Sequence, residues 1–246
     1  MADPRGVALI TGGARRIGRA LVLAAAGAGY DIALHVRTVD DEAHAAAAEV
    51  RAAGRRCALF ACDLRQEAAT VALVGDAEGE LGAVTLLVNC ASVFEDDAFA
   101  GMNRASWDAH METNLRAPLV LAQVFARRLP KHREGLIVNL LDQRVLHPGP
   151  DFFSYTLSKT ALWDATRMLA QALAPRIRVN GIGPGPTLPS IHQDQGAFDA
   201  EAAGTLMGRP VDPGEIGAAL RYLIDARSVT GQMIAVDAGQ HLARRN

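Results

Sequence analysis

The chain has 246 residues, of which 50% are hydrophobic, and a formal net charge of −2 at pH 7. A chain of this length buries about three-quarters of the surface that it exposes when unfolded, so one large domain is expected. The near-neutral charge and the dispersed Arg and Lys side chains argue against a nucleic-acid partner. No segment has the pattern of a signal peptide or a membrane span, so we expect no membrane partner.

The cysteines, Cys57, Cys62 and Cys90, are odd in number and lack metal-ligand spacing. We therefore expect no metal site and a reduced, cytoplasmic setting. Cys57 and Cys62 flank a predicted strand and are expected to fill the core. Cys90 follows another strand, where we expect its thiol to be accessible to reagents.

Short apolar segments alternate with longer Ala-rich amphipathic segments along the chain. The first kind predicts strands and the second predicts helices. Strands are predicted near 7–11, 31–36, 56–61, 84–89, 135–140, 176–182 and 232–236, and helices near 16–29, 40–53, 66–80, 104–129, 154–173 and 212–224. This alternation predicts an α/β fold, with residues 1–246 in a single domain: a Rossmann-type, doubly wound parallel sheet of about seven strands with helices on both faces.

The segment at about 184–210 is neither strongly periodic nor very polar. A loop of this length is more often a functional lid than an accident. We expect it to cover the substrate.

A Gly-rich turn joins the first predicted strand to the first predicted helix, over residues 11–18. Glycines allow such a turn to approach a pyrophosphate closely, and the unpaired N–H groups of the helix attract it. The second strand ends at Arg37 and Thr38, where an NAD-binding chain would carry an acidic residue. Together with Arg16 in the turn, this favours NADP(H) over NAD(H), the alternative being that Arg37 is a solvated charge.

A carboxyl group, Asp142, precedes a Tyr-x-x-x-Lys pair formed by Tyr155 and Lys159. In a helix the pair lies one turn apart on the same face. The Lys159 ammonium is expected to lower the pKa of the Tyr155 phenol towards neutrality, which suits acid–base catalysis. The alternatives are an ordinary pair on a solvated helix face and, for Asp142, a carboxylate that caps a turn.

The ordered motifs resemble the short-chain dehydrogenase/reductase family over nearly the whole chain. The turn at 11–18 resembles TGxxxGxG with Arg16 for the middle glycine, residues 89–92 resemble NNAG with Ser92 for glycine, and residues 155–159 match YxxxK. The resemblance implies a catalytic set of Asn114, Asp142, Tyr155 and Lys159. It implies cofactor contacts from Gly12, Arg16, Ile17, Gly18, Arg37, Thr38, Asp63, Leu64, Asn89, Ala91, Ser92, Tyr155, Lys159, Pro184, Gly185 and Thr187.

The departures from the family, Asp142 and Arg16 above all, resemble the branch of pteridine reductases and bacterial dihydromonapterin reductases. In that branch an aromatic residue that matches Phe94 stacks on a pterin ring, and a C-terminal arginine that matches Arg244 reaches a neighbouring subunit's pocket. The alternatives are an ordinary apolar contact under a loop for Phe94 and a frayed, solvated chain end for Arg244. The implied substrate contacts are Arg16, Ser92, Phe94, Asp142, Tyr155 and Arg244.

Three functions remain open from the sequence. The first is NADPH-dependent reduction of a dihydropterin, either dihydromonapterin, dihydrobiopterin or dihydrofolate. The second is NADPH-dependent reduction of a carbonyl substrate, such as a 3-oxoacyl thioester or another ketone. The third is NADP(H) binding without turnover. The family resemblance also implies a homotetramer built through the helices near 104–129 and 154–173.

Overall fold

The computed structural model describes residues 5–190 and 193–243. Seven strands form one parallel sheet in the order β3-β2-β1-β4-β5-β6-β7. The strands are β1 (Val7–Thr11), β2 (Asp31–Val36), β3 (Cys57–Ala61), β4 (Val84–Asn89), β5 (Gly135–Leu140), β6 (Ile177–Pro184) and β7 (Met233–Val236). The predicted fold is confirmed, and each predicted strand lies within two residues of the observed one.

The described part of the chain contains eight α-helices, most of which pack on the two faces of this sheet. They are α1 (Arg16–Gly27), α2 (Asp41–Ala52), α3 (Glu67–Leu81), α4 (Arg104–His110), α5 (Ala117–Arg128), α6 (Phe153–Leu173), α7 (Gln195–Ala203) and α8 (Pro213–Asp225). A π-helical segment, Met111–Arg116, joins α4 to α5, so the helix predicted over 104–129 changes its hydrogen-bonding pattern midway.

Alternate residues of β1 enter two separate cores, because successive side chains of a strand point to opposite faces. Ala8 and Ile10 pack with α1, α2 and α8 on one face. Val7 and Leu9 pack with α3, α5 and α6 on the other. With both faces covered, β1 is buried throughout, which explains its uninterrupted apolar sequence.

The strand order reverses at β1, which pairs with β2 on one side and β4 on the other. In open α/β sheets, ligands bind at this reversal, beyond the carboxyl ends of the strands. The fold therefore directs the turn after β1 and the segment after β4 into a common crevice.

The segment predicted as a loop over 184–210 contains a helix, α7, which the sequence analysis missed. Asp194 caps α7 by accepting a hydrogen bond from the backbone N–H of Ala197 at 2.8 Å. The helix is nine residues long, and only Phe198 and Ala202 are buried in it. Such a short apolar stripe gives too weak a periodicity to be recognised.

Within the described ranges, no helix is long and apolar enough to cross a membrane. The same part of the chain holds no group of three or more His, Cys, Asp or Glu side chains that could bind a metal ion.

Candidate active site

A cavity of about 800 Å³ lies at the carboxyl ends of the strands. Most residues that the sequence predicted as site residues line it. They are Gly12, Arg16, Ile17, Gly18, Arg37, Asp63, Leu64, Ala91, Ser92, Phe94, Asp142, Tyr155, Lys159, Pro184, Gly185 and Thr187. Thr38, Asn89 and Asn114 do not line it, and Arg244 lies outside the described residues.

The Gly-rich turn is packed too tightly for larger side chains. Gly12 has a φ of +66°, and a Cβ atom there would lie 2.9 Å from the Cα atom of Ala91. A Cβ atom on Gly18 would lie 2.1 Å from the carbonyl oxygen of Gly12. The start of α1 is thereby drawn against the turn, with its N–H groups available to an anion.

Arg16 adopts an unusual backbone conformation for a residue with a side chain, with a φ of +51°. Its guanidinium donates hydrogen bonds to the carbonyl oxygens of Leu188 at 3.0 Å and Pro189 at 2.8 Å. The residue that replaces the family glycine therefore ties the turn to the segment after β6. A strained position retained in this way is typical of functional sites.

Cationic side chains cluster at the end of the cavity that lies beyond the carboxyl ends of β2 and β3. Arg65 binds the carboxylate of Asp63 and holds the pKa of that carboxyl at about 2. Arg15 pairs with Asp40 and Glu42. In the ranges that the structure describes, Arg37 has no such ion pair, so its charge is available to an anionic ligand.

Asp142 holds two groups at once. Its Oδ2 atom accepts the hydroxyl hydrogen of Tyr155 at 2.8 Å, and its Oδ1 atom accepts the backbone N–H of Arg144 at 2.8 Å. The two interpretations of this carboxylate, partner of the tyrosine and cap of a turn, therefore both hold, one for each oxygen.

The expectation that Lys159 lowers the pKa of Tyr155 is wrong for this structure. Burial and the neighbouring Asp142 carboxylate raise that pKa well above its ordinary value. The ammonium of Lys159 instead donates to the carbonyl oxygen of Leu140 at 2.7 Å, and burial lowers its pKa to about 8. At neutral pH Tyr155 is thus a neutral phenol, which can donate a proton.

Asn114 lies in the π-helical segment and fixes the chain after β4. Its Oδ1 atom accepts the N–H of Val93 at 2.8 Å, and its Nδ2 atom donates to the Val93 carbonyl at 2.9 Å and to Ser158 at 3.1 Å. Asn114 therefore positions the backbone beside Phe94 without lining the cavity. π-Helical segments recur at functional sites because they turn a side chain out of the helical register.

Two residues that were predicted to contact the cofactor, Asn89 and Thr38, lie outside the cavity lining. Asn89 is buried in the sheet, where its Nδ2 atom donates to the side chain of Asn139 at 2.8 Å. The side chain of Thr38 is exposed. Cys90 lines the cavity, and burial raises the pKa of its thiol to about 11, so the thiolate needed for nucleophilic attack is scarce at neutral pH.

Phe152 is a cavity residue that the sequence analysis missed. Its ring stacks on that of Phe94, with centroids 4.3 Å apart and planes 10° apart, and Phe94 meets Tyr155 edge-on at 4.7 Å. The guanidinium of Arg144 lies 5.1 Å from the Phe152 ring centroid. Phe152 precedes α6 and has a left-handed φ of 52°, so no helical spacing linked it to Tyr155 in the sequence.

A polar cluster that sequence reasoning also missed is formed by Gln193 and Glu201, from the segment after β6, and Gln240, from the turn after β7. The carboxylate of Glu201 accepts from the amide of Gln193 at 2.7 Å and from that of Gln240 at 2.9 Å. All three side chains line the cavity. Their separation along the chain left no sequence signal for the cluster.

A Rossmann-type sheet, a Gly-rich turn and a Tyr–Lys pair around one cavity define an NAD(P)-dependent oxidoreductase. The short chain dehydrogenase family model matches residues 6–199, so the chain belongs to that family. An uncharacterized oxidoreductase of Mycobacterium tuberculosis is 34% identical over 251 residues, covering 95% of this chain and 91% of the relative. A 3-oxoacyl-[acyl-carrier-protein] reductase FabG of Aggregatibacter actinomycetemcomitans is 33% identical, covering 94% and 97%.

Solved structures add a narrower similarity. FolM alternative dihydrofolate reductase 1 from Brucella canis, complexed with NADP, is 44% identical with a TM-score of 0.94, covering 99% of this chain and 98% of that chain. The same protein from Brucella suis, also with NADP, is 44% identical with a TM-score of 0.94, covering 100% and 97%. The predicted family is confirmed, and these are relatives of the kind that the pteridine reductase resemblance predicted.

Proposed function

We propose that the protein is an NADPH-dependent reductase of a dihydropterin-type substrate, either dihydromonapterin, dihydrobiopterin or dihydrofolate. The observation that carries this proposal is the 2.8 Å hydrogen bond from Tyr155 to Asp142 beside the ring of Phe94. A carboxyl group here offers a proton relay and an acceptor for the ring N–H and amino groups of a pterin.

The cavity suits NADP(H). The Gly-rich turn and the start of α1 would receive the pyrophosphate, and Arg37 would receive the 2′-phosphate, since a guanidinium binds phosphate in bidentate geometry. When bound, NADPH supplies the hydride. The similarity to FolM structures that contain NADP supports this choice of cofactor.

The chain's own residues supply the proton. Tyr155 is held as a neutral phenol and transfers its hydroxyl proton to the substrate. Asp142 orients that hydroxyl beforehand and afterwards relays a proton from solvent to the phenolate that the transfer leaves. Lys159 contributes a positive charge behind the phenol, 5.8 Å from its ring centroid. Asn114 keeps the segment that bears Phe94 in place.

Substrate recognition is assigned to Phe94, Ser92 and Asp142, with Arg16 at the boundary between cofactor and substrate. Phe94, together with the Phe152 ring stacked on it, supplies an aromatic surface for a pterin ring, and stacked rings are worth about 0.5–1.5 kcal/mol beyond their buried area. Asp142 in place of the family serine separates this site from a simple ketone reductase.

The second candidate is a carbonyl reductase that acts on a 3-oxoacyl thioester or another ketone. It is supported by the identity of 33% to a 3-oxoacyl-[acyl-carrier-protein] reductase. Tyr155 and Lys159 would serve that reaction equally well, because a developing alkoxide also needs a proton donor.

Oxidation of NADPH, followed at 340 nm with a panel of dihydropterins and ketones, tests the proposal. We expect turnover with dihydropterins and a kcat in the Tyr155→Phe variant lowered by about 10²–10⁴-fold with NADPH binding retained. Turnover of ketones alone would support the second candidate. Binding of NADPH without turnover of any substrate would leave a non-catalytic NADP(H)-binding protein.

The assembly proposed is a homotetramer. The helices α5 and α6 border a surface cavity lined in part by Leu119, Leu169 and Leu173, and Met168 on α6 is 67% exposed. A two-fold axis along this face would bury those apolar groups. Light scattering after size-exclusion chromatography measures the mass, and a monomer at micromolar concentration would contradict the proposal.

A further inference from the structure

We propose that Glu201 is a specificity-determining residue that selects against substrates with a negatively charged side chain. This inference rests on the proposed reduction of dihydropterins. It concerns the part of the substrate that projects from the ring, which the residues at the reacting end of the cavity do not contact.

Glu201 lies on the substrate side of the cavity. Gln240 belongs to a 3-10 turn, Gln240–Leu242, which contacts the 3-10 turn Gln143–Val145 directly after Asp142. Since the Gln240 amide donates to Glu201 at 2.9 Å, the carboxylate is connected to the wall that bears Asp142. A substrate whose ring lies on Phe94 would extend its side chain past this wall.

The carboxylate of Glu201 is not neutralised by a cation in the described part of the chain. Its oxygens accept from the neutral amides of Gln193 and Gln240, which leave its full charge in place. Each of the other two acidic residues that line the cavity has a compensating cation, because Arg65 binds Asp63 and Arg144 interacts favourably with Asp142. Among the described acidic residues of the cavity wall, Glu201 is therefore the one without a compensating cation.

Two cations near the substrate are already engaged. Arg16 donates to the carbonyl oxygens of Leu188 and Pro189, and Arg144 lies over the Phe152 ring and beside Asp142. Neither guanidinium is hydrogen-bonded to Glu201 in the described structure, so a substrate carboxylate that lies against Glu201 would be repelled by it. Hydroxyl groups would instead find amide and carboxylate partners in the cluster of Gln193, Glu201 and Gln240, so the cluster favours an uncharged, hydroxylated side chain.

The test uses three dihydropterins with matched chemistry. Dihydrobiopterin has an uncharged hydroxylated side chain, dihydrofolate has a carboxylated one, and the dimethyl ester of dihydrofolate has the same length without the charge. In Glu201→Gln, we expect the KM for dihydrofolate to fall by about five-fold or more, because like charges a few ångströms apart repel strongly in a partly buried site. The KM values for the ester and for dihydrobiopterin should change by less than about two-fold, and kcat should be similar for all three.

Glu80→Gln is the matched control, because it removes the same charge from an exposed position on α3 that does not line the cavity. A measurement on the native protein provides a second arm. Raising the ionic strength from about 20 to about 500 mM should lower the KM for dihydrofolate relative to that for its ester, because salt screens the repulsion. Equal effects of Glu201→Gln on all three substrates, or a salt-independent ratio, would overturn the assignment.

The two proposals fail in different ways. If no dihydropterin is reduced, the proposed function is wrong and the role of Glu201 falls with it. The other outcome is that dihydropterins are reduced while neither Glu201→Gln nor added salt changes the KM for dihydrofolate relative to that for its ester. In that case the proposed function stands, and Glu201 does not select substrates by charge.

Discussion

Asp142 accepts the hydroxyl hydrogen of Tyr155 at 2.8 Å through one oxygen and caps the turn that begins at Gln143 through the other. The carboxylate is thereby fixed in one orientation before any ligand binds. This arrangement keeps the phenol protonated, because burial and then the neighbouring carboxylate raise the pKa of Tyr155 well above its ordinary value.

Replacing Asp142 with Ser should harm dihydropterin reduction more than ketone reduction. Serine also caps turns well, so the fold after β5 should survive, whereas the carboxyl relay and the acceptor for pterin N–H groups are lost. We expect kcat/KM for the dihydropterin to fall by about ten-fold or more. Steady-state kinetics with one substrate of each type measures this, and Asp142→Asn separates charge from size. Equal losses for both types would remove Asp142 from substrate selection.

Replacing Arg37 with Asp should reverse the preference between cofactors. The guanidinium that would receive the 2′-phosphate is replaced by a carboxylate that repels it and suits a ribose hydroxyl. We expect NADPH to bind at least about ten-fold more weakly, with little change for NADH. Fluorescence titration with both nucleotides measures the affinities. Arg133→Asp, the same charge change at an exposed position away from the cavity, is the control and should leave both affinities unaltered.

The lowered pKa of Lys159 predicts a loss of activity at alkaline pH. Burial lowers this pKa from 10.5 to about 8, so the ammonium loses its proton as the pH rises through about 8. The kcat/KM value, which reports the free enzyme, should therefore decline with an apparent pKa near 8. The pH profile of Lys159→Met should lack this decline, and a native profile that stays flat up to pH 10 would contradict the assignment.

The same shift has an opposite consequence for stability. Between about 8 and 10.5 the unfolded chain keeps the proton of Lys159 and the folded chain does not. The contribution of this group to the free energy of unfolding therefore increases as the pH rises through that interval. Urea denaturation of the native protein and of Lys159→Met, compared at several pH values, isolates this contribution.

Replacing Arg16 with Gly should release the segment after β6 without unfolding the protein. Glycine adopts the positive φ of this position without steric cost. The substitution therefore relieves backbone strain of about 1 kcal/mol or more, which partly compensates for the lost contacts. The hydrogen bonds to Leu188 and Pro189 are lost. We expect faster proteolysis after β6 with a melting temperature within a few degrees of the native value. Arg15→Gly, at a position with an ordinary φ of −133°, is the control. Unchanged proteolysis in Arg16→Gly would show that the hydrogen bonds of Arg16 do not hold the segment after β6 in place.

Replacing Phe94 with Ala should chiefly raise the KM for the dihydropterin. A stacking surface binds ground state and transition state alike, so kcat should change little. Because Phe152 stacks on Phe94 at 4.3 Å, the effects of Phe94→Ala and Phe152→Ala should not be additive. A double-mutant cycle on KM measures the coupling. Additive effects would show that the two rings act independently.

The sequence by itself determined the sheet, because its apolar segments have strand length and alternate with amphipathic helices. It also indicated the turn at residues 11–18, the pair Tyr155 and Lys159, and the unusual Asp142, since these are local patterns whose chemistry can be interpreted from residue type and spacing. The parallel pairing of β1 with β4 and of β4 with β5 then brings the turn and Asp142 to one edge of the sheet.

Only the tertiary structure decided how these groups act on one another. The pKa of Tyr155 depends on burial and on which oxygen of Asp142 faces it, and neither is a property of spacing along the chain. The link from Arg16 to Leu188 joins residues that are 172 positions apart. The cluster around Glu201 joins three segments that no periodicity connects. These contacts form when the segment after β6 packs over the cavity. The conformation of that segment is set by tertiary hydrogen bonds, because its own secondary-structure propensity is weak.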